Sequence, residues 1–466
     1  MTTSLPKVRN QVWSTFTRVS PAVFAVACIT GCGGVTDAGN AVPSASSAGG
    51  TNAGGTPATM GGSAGAITVG GSPGSGGTVS SGGAVASVGG GSSGGASGIT
   101  VHEWGTYTSV HATDGHALGG VHHVDEALPS WVYRRHFTPY DYYFETLPEE
   151  PLEQLETPVL YFHSDHLEAV KVEVSFPEGL VSEWYPDASG FLPPMNGITQ
   201  LAGGAMTWDV TLDPAINPSS FLAVSPEEIW APSRNVASTP VRFTPAAGTP
   251  QTEQFIFYRG LAKFAPPFRT SVAADGTITL VNASPESISA VFLLRTDATG
   301  GAFVSLGELA AGGQLTHATP SIDTSMLSFL GAAHLALETA LMGTGLYADE
   351  AQAMVDTWTR SWFQNVGLRV LYLAPRAWTE KWLPTKITPA PSEFARTLVG
   401  RVELLTVAEE QQLVSDISAA ASADAINLTS LGRFAEPRLA RALEQLSDPA
   451  ALQRATTLHQ NAHSMP

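Results

Sequence analysis

The chain has 466 residues, 43% of them hydrophobic, a formal charge of −18 and two cysteines, Cys28 and Cys32. That length suffices for two or three domains, and the acidic balance argues against nucleic acid and anionic lipid surfaces as partners. Two cysteines so close together give no disulfide framework and no cysteine-ligated zinc site.

Residues 1–32 carry Lys7, Arg9 and Arg18, no acid, and the apolar run Pro21–Ile29. A positive n-region before a short apolar h-region is the pattern of a secretory signal peptide, and the run falls well short of the roughly 20 residues a membrane-spanning helix needs. Ile29-Thr30-Gly31-Cys32 resembles the lipobox of bacterial lipoproteins. The resemblance implies a signal peptide over 1–31, cleavage before Cys32, a diacylglycerol on its thiol and an acyl chain on the new amine. Each buried CH₂ adds about 0.8 kcal/mol of membrane affinity, and several chains together anchor stably. The expected location is the bacterial cell envelope, with the membrane engaged through acylated Cys32.

Residues 33–98 hold 23 of the 47 glycines, no aromatic residue, no Lys or Arg, and one acid, Asp37. Such a stretch cannot bury enough apolar surface to offset its ordering entropy. With Cys32 it reads as a disordered Gly/Ser-rich tether over 32–98, spanning on the order of 45 Å. Without the +3 of residues 1–32 and without Asp37, the charge on 99–466 is −20.

From Ile99 to about Pro320 the pattern is strand and turn. Val170, Val172, Val174 and Phe176 alternate with Lys171, Glu173 and Ser175, as a half-buried strand does. Met206–Leu212, Phe255–Tyr258, Thr277–Val281 and Ala290–Leu294 read the same way, and Asp275-Gly276 fits a hairpin turn. One or two antiparallel β-sandwiches over 99–320 are predicted. After Pro320 the period changes. Met326, Leu327, Leu330, His334, Leu337 and Leu341 mark a helix face, capped by Asp323 or Thr324 and stopped by Gly343. A second helix starts near Asp349. Strands are predicted at Leu368–Leu373 and Thr397–Leu405. Thr406 and Glu409 form a capping box for the next helix, and two more follow in the tail, the last starting at Ser447 or Asp448 with Pro449 in its first turn. The expected class is β-rich α+β: antiparallel β-sandwich regions, then a mixed α/β region over 321–466 with C-terminal helices.

Several blocks resemble one group of bacterial secreted proteins of uncharacterised activity, marked by a VHEWGT-type motif. They include VHEWGTYTSV (101–110), ETPVLYFHSD (156–165), FPEGLVSEWYP (176–186), FIFYRGL (255–261), GLYADEAQAMVDTWTRSWF (345–363) and LGRFAEPRLARAL (431–443). The resemblance implies one evolutionary unit over most of 101–443. It implies no activity and no catalytic residues.

Eight of the twelve histidines lie between 102 and 166, interspersed with carboxylates. Imidazole and carboxylate together suit a divalent transition metal. The ligands chosen from this stretch are His102, His122, His123 and Asp165, although HExxH is absent. On a strand, His102 and Glu103 point to opposite faces, so His102 shares a face with Trp104 and cannot join Glu103 on one ion. Glu103 and Glu183 each precede a tryptophan and are a candidate carboxylate pair for sugar chemistry. There is no GxSxG elbow, P-loop or GxGxxG unit, so serine-type hydrolysis and nucleotide binding are not supported. The leading expectation is a lipid-anchored envelope protein that binds or supports something else, its protein or glycan ligand unassigned. The alternative is a secreted metal-dependent hydrolase using histidines of 102–166.

Overall fold

In the computed structural model, residues 98–124, 127–135, 152–194, 200–264 and 266–464 are described. The expected signal peptide, Cys32, the expected tether up to residue 97, and His136 lie outside them.

The strand Thr100–His111 is buried along nearly its whole length. Its β-branched and aromatic residues suit a strand packed on both sides. It pairs antiparallel with Glu153–His163 and parallel with Glu393–Leu404. A parallel neighbour requires a long crossover, and here most of the folded chain supplies it. The sheet has ten strands, in the order Thr324–Ser325, Gly300–Leu309, Ile288–Thr296, Gly367–Leu373, Glu393–Leu404, Thr100–His111, Glu153–His163, Ile256–Ala262, Gly179–Tyr185 and Tyr133–Arg134. Strands from both sides of residue 320 therefore share one sheet, and the largest sheet is mixed rather than purely antiparallel. Pairing on both edges and burial on both faces place the apolar runs at 368–373 and 398–404 at its centre.

Gly105 marks a bulge where the central strand changes register with Glu153–His163. A Cβ there would lie 2.9 Å from Pro158 Cα, so only glycine lets the two backbones approach this closely.

Two smaller sheets complete the β structure. One contains Thr385–Thr388, Glu168–Phe176, Gly204–Leu212, Val241–Phe243 and Gln251–Glu253, with Gly190–Leu192 beside Gly204–Leu212. The other contains Phe268–Val272, Thr277–Asn282 and Gln314–Ala318. Val170, Val172, Val174, Trp208, Phe268 and Ile278 from these sheets share an apolar core with Val101, Tyr107, Phe162 and Val402 of the large sheet. On its other face Trp104, Val159, Tyr161 and Val399 join the core formed with the helices Met326–Met342 and Ala348–Thr359. The β-rich α+β class holds at this level: large antiparallel and mixed sheets, with helices toward the C-terminus.

The first of those helices differs from its predicted form. Its N-cap is Ser325, and its buried stripe is Phe329, Ala333, Leu337 and Leu341, while Leu327 is 82% exposed. Apolar residues surround this helix, so periodicity alone did not fix which face packs. The capping box is present: Glu409 N donates to Thr406 Oγ1 and Thr406 N to Glu409 Oε2, at the start of Val407–Ala419. Asp448 caps Pro449–His463 by accepting from Ala451 N at 2.8 Å. Val407–Ala419, Ala435–Gln445 and Pro449–His463 form a small core of their own.

Candidate metal centre

After His111 the chain folds back beside the end of the central strand, where Leu118 N donates to Val110 O at 2.8 Å. Val121 is buried there with Val110, Leu118 and Phe434. This anchors the loop residues on either side of it. Gly120 takes φ +88°, and His122 O accepts from Gln154 Nε2 at 3.3 Å. His122 and His123 are thereby carried inward and are 4% and 9% exposed.

Glu436 meets them from the first turn of Ala435–Gln445, where a carboxylate is favoured by the helix dipole. It is fully buried. His122 Nε2 and His123 Nε2 each lie 3.4 Å from Glu436 Oε2. Glu436 Oε1 accepts from His463 Nδ1 at 3.0 Å, which fixes the carboxylate from the C-terminal helix. The His122 and His123 rings are 4.2 Å apart, and His463 is 5.0 Å from His122.

Three potential ligand atoms thus cluster without direct hydrogen-bond geometry among them. His123 Nε2 and Glu436 Oε2 are buried, and neither has a hydrogen-bond partner. Around a tetrahedral zinc ion, with bonds of about 2.0–2.1 Å, ligand atoms sit about 3.3–3.4 Å apart. The two separations from Glu436 match that spacing, and all three ligand atoms lie within 4.8 Å of one another, so the residues present fit a divalent ion. Burial pushes the His122 pKa down to about 3, against the opposing pull of Glu436, so its imidazole is neutral and able to ligate. Burial alone would raise the Glu436 pKa, but the imidazoles of His123, His463 and His122 hold it at about 2.

A second cluster lies at the other end of the central strand. His102 Nδ1 donates to Glu350 Oε2 at 2.7 Å, and His163 Nε2 to Glu350 Oε1 at 3.0 Å. Tyr347 N adds a third bond to Oε2, at 2.8 Å, and the Tyr347 ring packs against both imidazoles. Burial opposes the charge on Glu350, yet these hydrogen bonds hold its pKa below the usual carboxylate value. His102, His163 and Glu350 could also surround an ion. Here, though, both carboxylate oxygens already accept hydrogen bonds at ordinary lengths, which leaves less for a metal to satisfy.

The expected ligand set is therefore divided. His122 and His123 come together, with Glu436. His102 joins His163 and Glu350 at the other end of the central strand. Asp165 stays on the exposed turn after His163 and accepts from His166 Nδ1 at 2.7 Å. It joins neither cluster, because the turn carries it outward from the sheet. Trp104 is a core residue packed near Tyr161. Glu103 faces the opposite side from His102, as alternation requires, and is ion-paired with Arg396 and accepts from the Tyr258 hydroxyl. Glu183 pairs with Arg259 and Arg134. Strand alternation from Tyr258 to Arg259 puts Glu183 on the face away from Glu103, so the two are not a carboxylate pair across one site.

The ligand set expected from sequence leaves out His163, Glu350, Glu436 and His463. One signal was present. Glu436 precedes Pro437 at a helix start inside the block LGRFAEPRLARAL, and Glu350 lies in GLYADEAQ, whose cap it forms. Acids at those positions read as helix caps, and only the fold shows what else they meet.

No family model matches the chain, and no curated protein matches it. Among solved structures, it is similar to the Fcho1 Mu homology domain of Danio rerio with bound Eps15 peptide. There the identity is 7%, coverage is 67% of this chain and 98% of that one, and the TM-score is 0.27. It is also similar to the yeast delta-COP-I mu-homology domain complexed with Dsl1 WxWxV peptide, at 9% identity, 66% and 96% coverage, and TM-score 0.24. Likeness at this level carries no argument about function.

Proposed function

We propose that this is an exported protein of the bacterial cell envelope, anchored through acylated Cys32, whose body holds one divalent transition-metal ion between His122, His123 and Glu436 in a binding or structural role. The ITGC sequence and the glycine-rich segment after it support the anchor, and the VHEWGT-type blocks support descent shared with other secreted proteins. The observation that carries the metal is the 3.4 Å spacing of His122 Nε2 and His123 Nε2 from Glu436 Oε2. Two imidazoles and a carboxylate favour zinc over calcium or magnesium, which prefer oxygen ligands.

The same donor set occurs in catalytic zinc sites, with the fourth position left to water. This supports hydrolysis as a second reading. The deep burial of all three ligands favours holding the ion over turning over a substrate. Elemental analysis of the purified full chain tests the proposal. The expected result is one zinc per chain, lost in a His122→Asn, His123→Asn double variant. A wild-type protein with no bound transition metal after zinc loading overturns it.

A further inference from the structure

We infer that the ion at His122, His123 and Glu436 works as a clasp that fastens the C-terminal helices to the sheet, so that metal supply sets whether those helices stay docked. The inference rests on the metal reading above and adds a role to it.

The three helices Val407–Ala419, Ala435–Gln445 and Pro449–His463 have a core separate from the two that fill the sheets. Five of its members are alanines, at 435, 442, 451, 455 and 462, which bury little area each. The apolar join between this unit and the body is small: Phe434 and Leu405 against Val110, Ala112, Leu118 and Val121. Other links are polar. Thr113 N donates to Glu410 Oε1 at 2.8 Å, and Arg441 reaches Asp114 at 3.1 Å. His116 reaches Glu444 at 3.3 Å, with both side chains nearly half exposed. Exposed pairs of this kind contribute little, so the strongest polar link is the buried pair of Arg433, just before Ala435–Gln445, with Glu156 of the sheet.

The metal cluster is placed at that join. His122 and His123 belong to the loop of the body, Glu436 to one helix, and His463, on the last helix, holds the other Glu436 oxygen. An ion there ties the loop directly to Ala435–Gln445 and, through the carboxylate, to Pro449–His463. Glu436 lies more than 300 residues from His122 and His123 in sequence, so an undocked chain does not present them together. Binding to the docked state alone converts metal affinity into docking stability. Without an ion, the buried His123 nitrogen and Glu436 oxygen are left unsatisfied at the same place.

Amide hydrogen exchange on the full chain, with saturating zinc and with a chelator, tests this, alongside elemental analysis of the same samples. At zinc 100 times its Kd, amides in 435–445 and 449–463 are expected to exchange roughly 100-fold more slowly than in chelator. Amides of Thr100–His111 are expected to change little, and Glu436→Gln to remove the zinc response. Stoichiometric zinc with unchanged helix exchange overturns the clasp and leaves the metal reading standing. Slowing spread equally over the central strand also overturns it, and absence of bound zinc overturns both.

Discussion

A methyl group at position 120 would sit 2.6 Å from Glu436 Cγ, on a backbone with φ +88°. Gly120→Ala is therefore strained twice, by its own conformation and by the carboxylate it displaces. We expect it to cost about 1–2 kcal/mol of stability and to weaken zinc binding, as measured by urea unfolding and zinc titration. Unchanged zinc affinity would separate the loop from the site. Glu153 offers a test of pH dependence. Burial pushes its carboxyl well above its usual pKa of 4.5. A raised folded-state pKa means that the linked stability is complete below about pH 4.5 and is lost as pH rises toward the folded value. Glu153→Gln keeps a neutral side chain, so it is expected to be more stable than wild type at pH 7, with the gap closing toward pH 4. Equal stability at pH 7 would mean that the folded protein accommodates the charge. At this scale the alternation of His102 and Glu103 was legible, because it needs only a local strand. The partners Glu350, Arg396 and Glu436 were not, because each lies hundreds of residues away in sequence and no spacing rule connects them.

Elements were legible where a local signal was strong. Val407–Ala419 begins at its Thr406–Glu409 box, and Pro449–His463 at Asp448, because capping depends on neighbours alone. Thr406→Ala is expected to cost about 1 kcal/mol, read as a lower unfolding midpoint. Helix Met326–Met342 is the counterexample. Its existence followed from its apolar content, but its orientation depended on what covers it. Phe329 packs flat against Gly301 of the neighbouring strand, while Leu327 faces outward. Phe329→Ala is expected to cost about 3–5 kcal/mol, and Leu327→Ala to stay within about 0.5 kcal/mol. A reversal of that order in thermal unfolding would show that the packed face has been misassigned.

Across the whole molecule, the sheet joins the first and the last strand of the described chain. Thr100–His111 pairs in parallel with Glu393–Leu404, an association that no hairpin or loop-length rule foretells. The 4 apolar positions alternating from Val170 to Phe176 identified a half-buried strand, yet not which sheet it joins. The sequence stretch where the folded body begins, ITVHEWGTYT, is the central strand, and the two histidine clusters sit toward its two ends. The proposed anchor is tested by replacing Cys32 with alanine: the protein is expected to leave the membrane fraction, and its retention there would argue for another attachment. The most direct test of metal binding at His122, His123 and Glu436 is X-ray absorption at the zinc edge of the purified, zinc-loaded protein. A nitrogen and oxygen shell at about 2.0–2.1 Å with the multiple-scattering signature of two imidazoles is expected, lost in the His122→Asn, His123→Asn variant. A shell of oxygen atoms alone, or one unchanged in that variant, would contradict it.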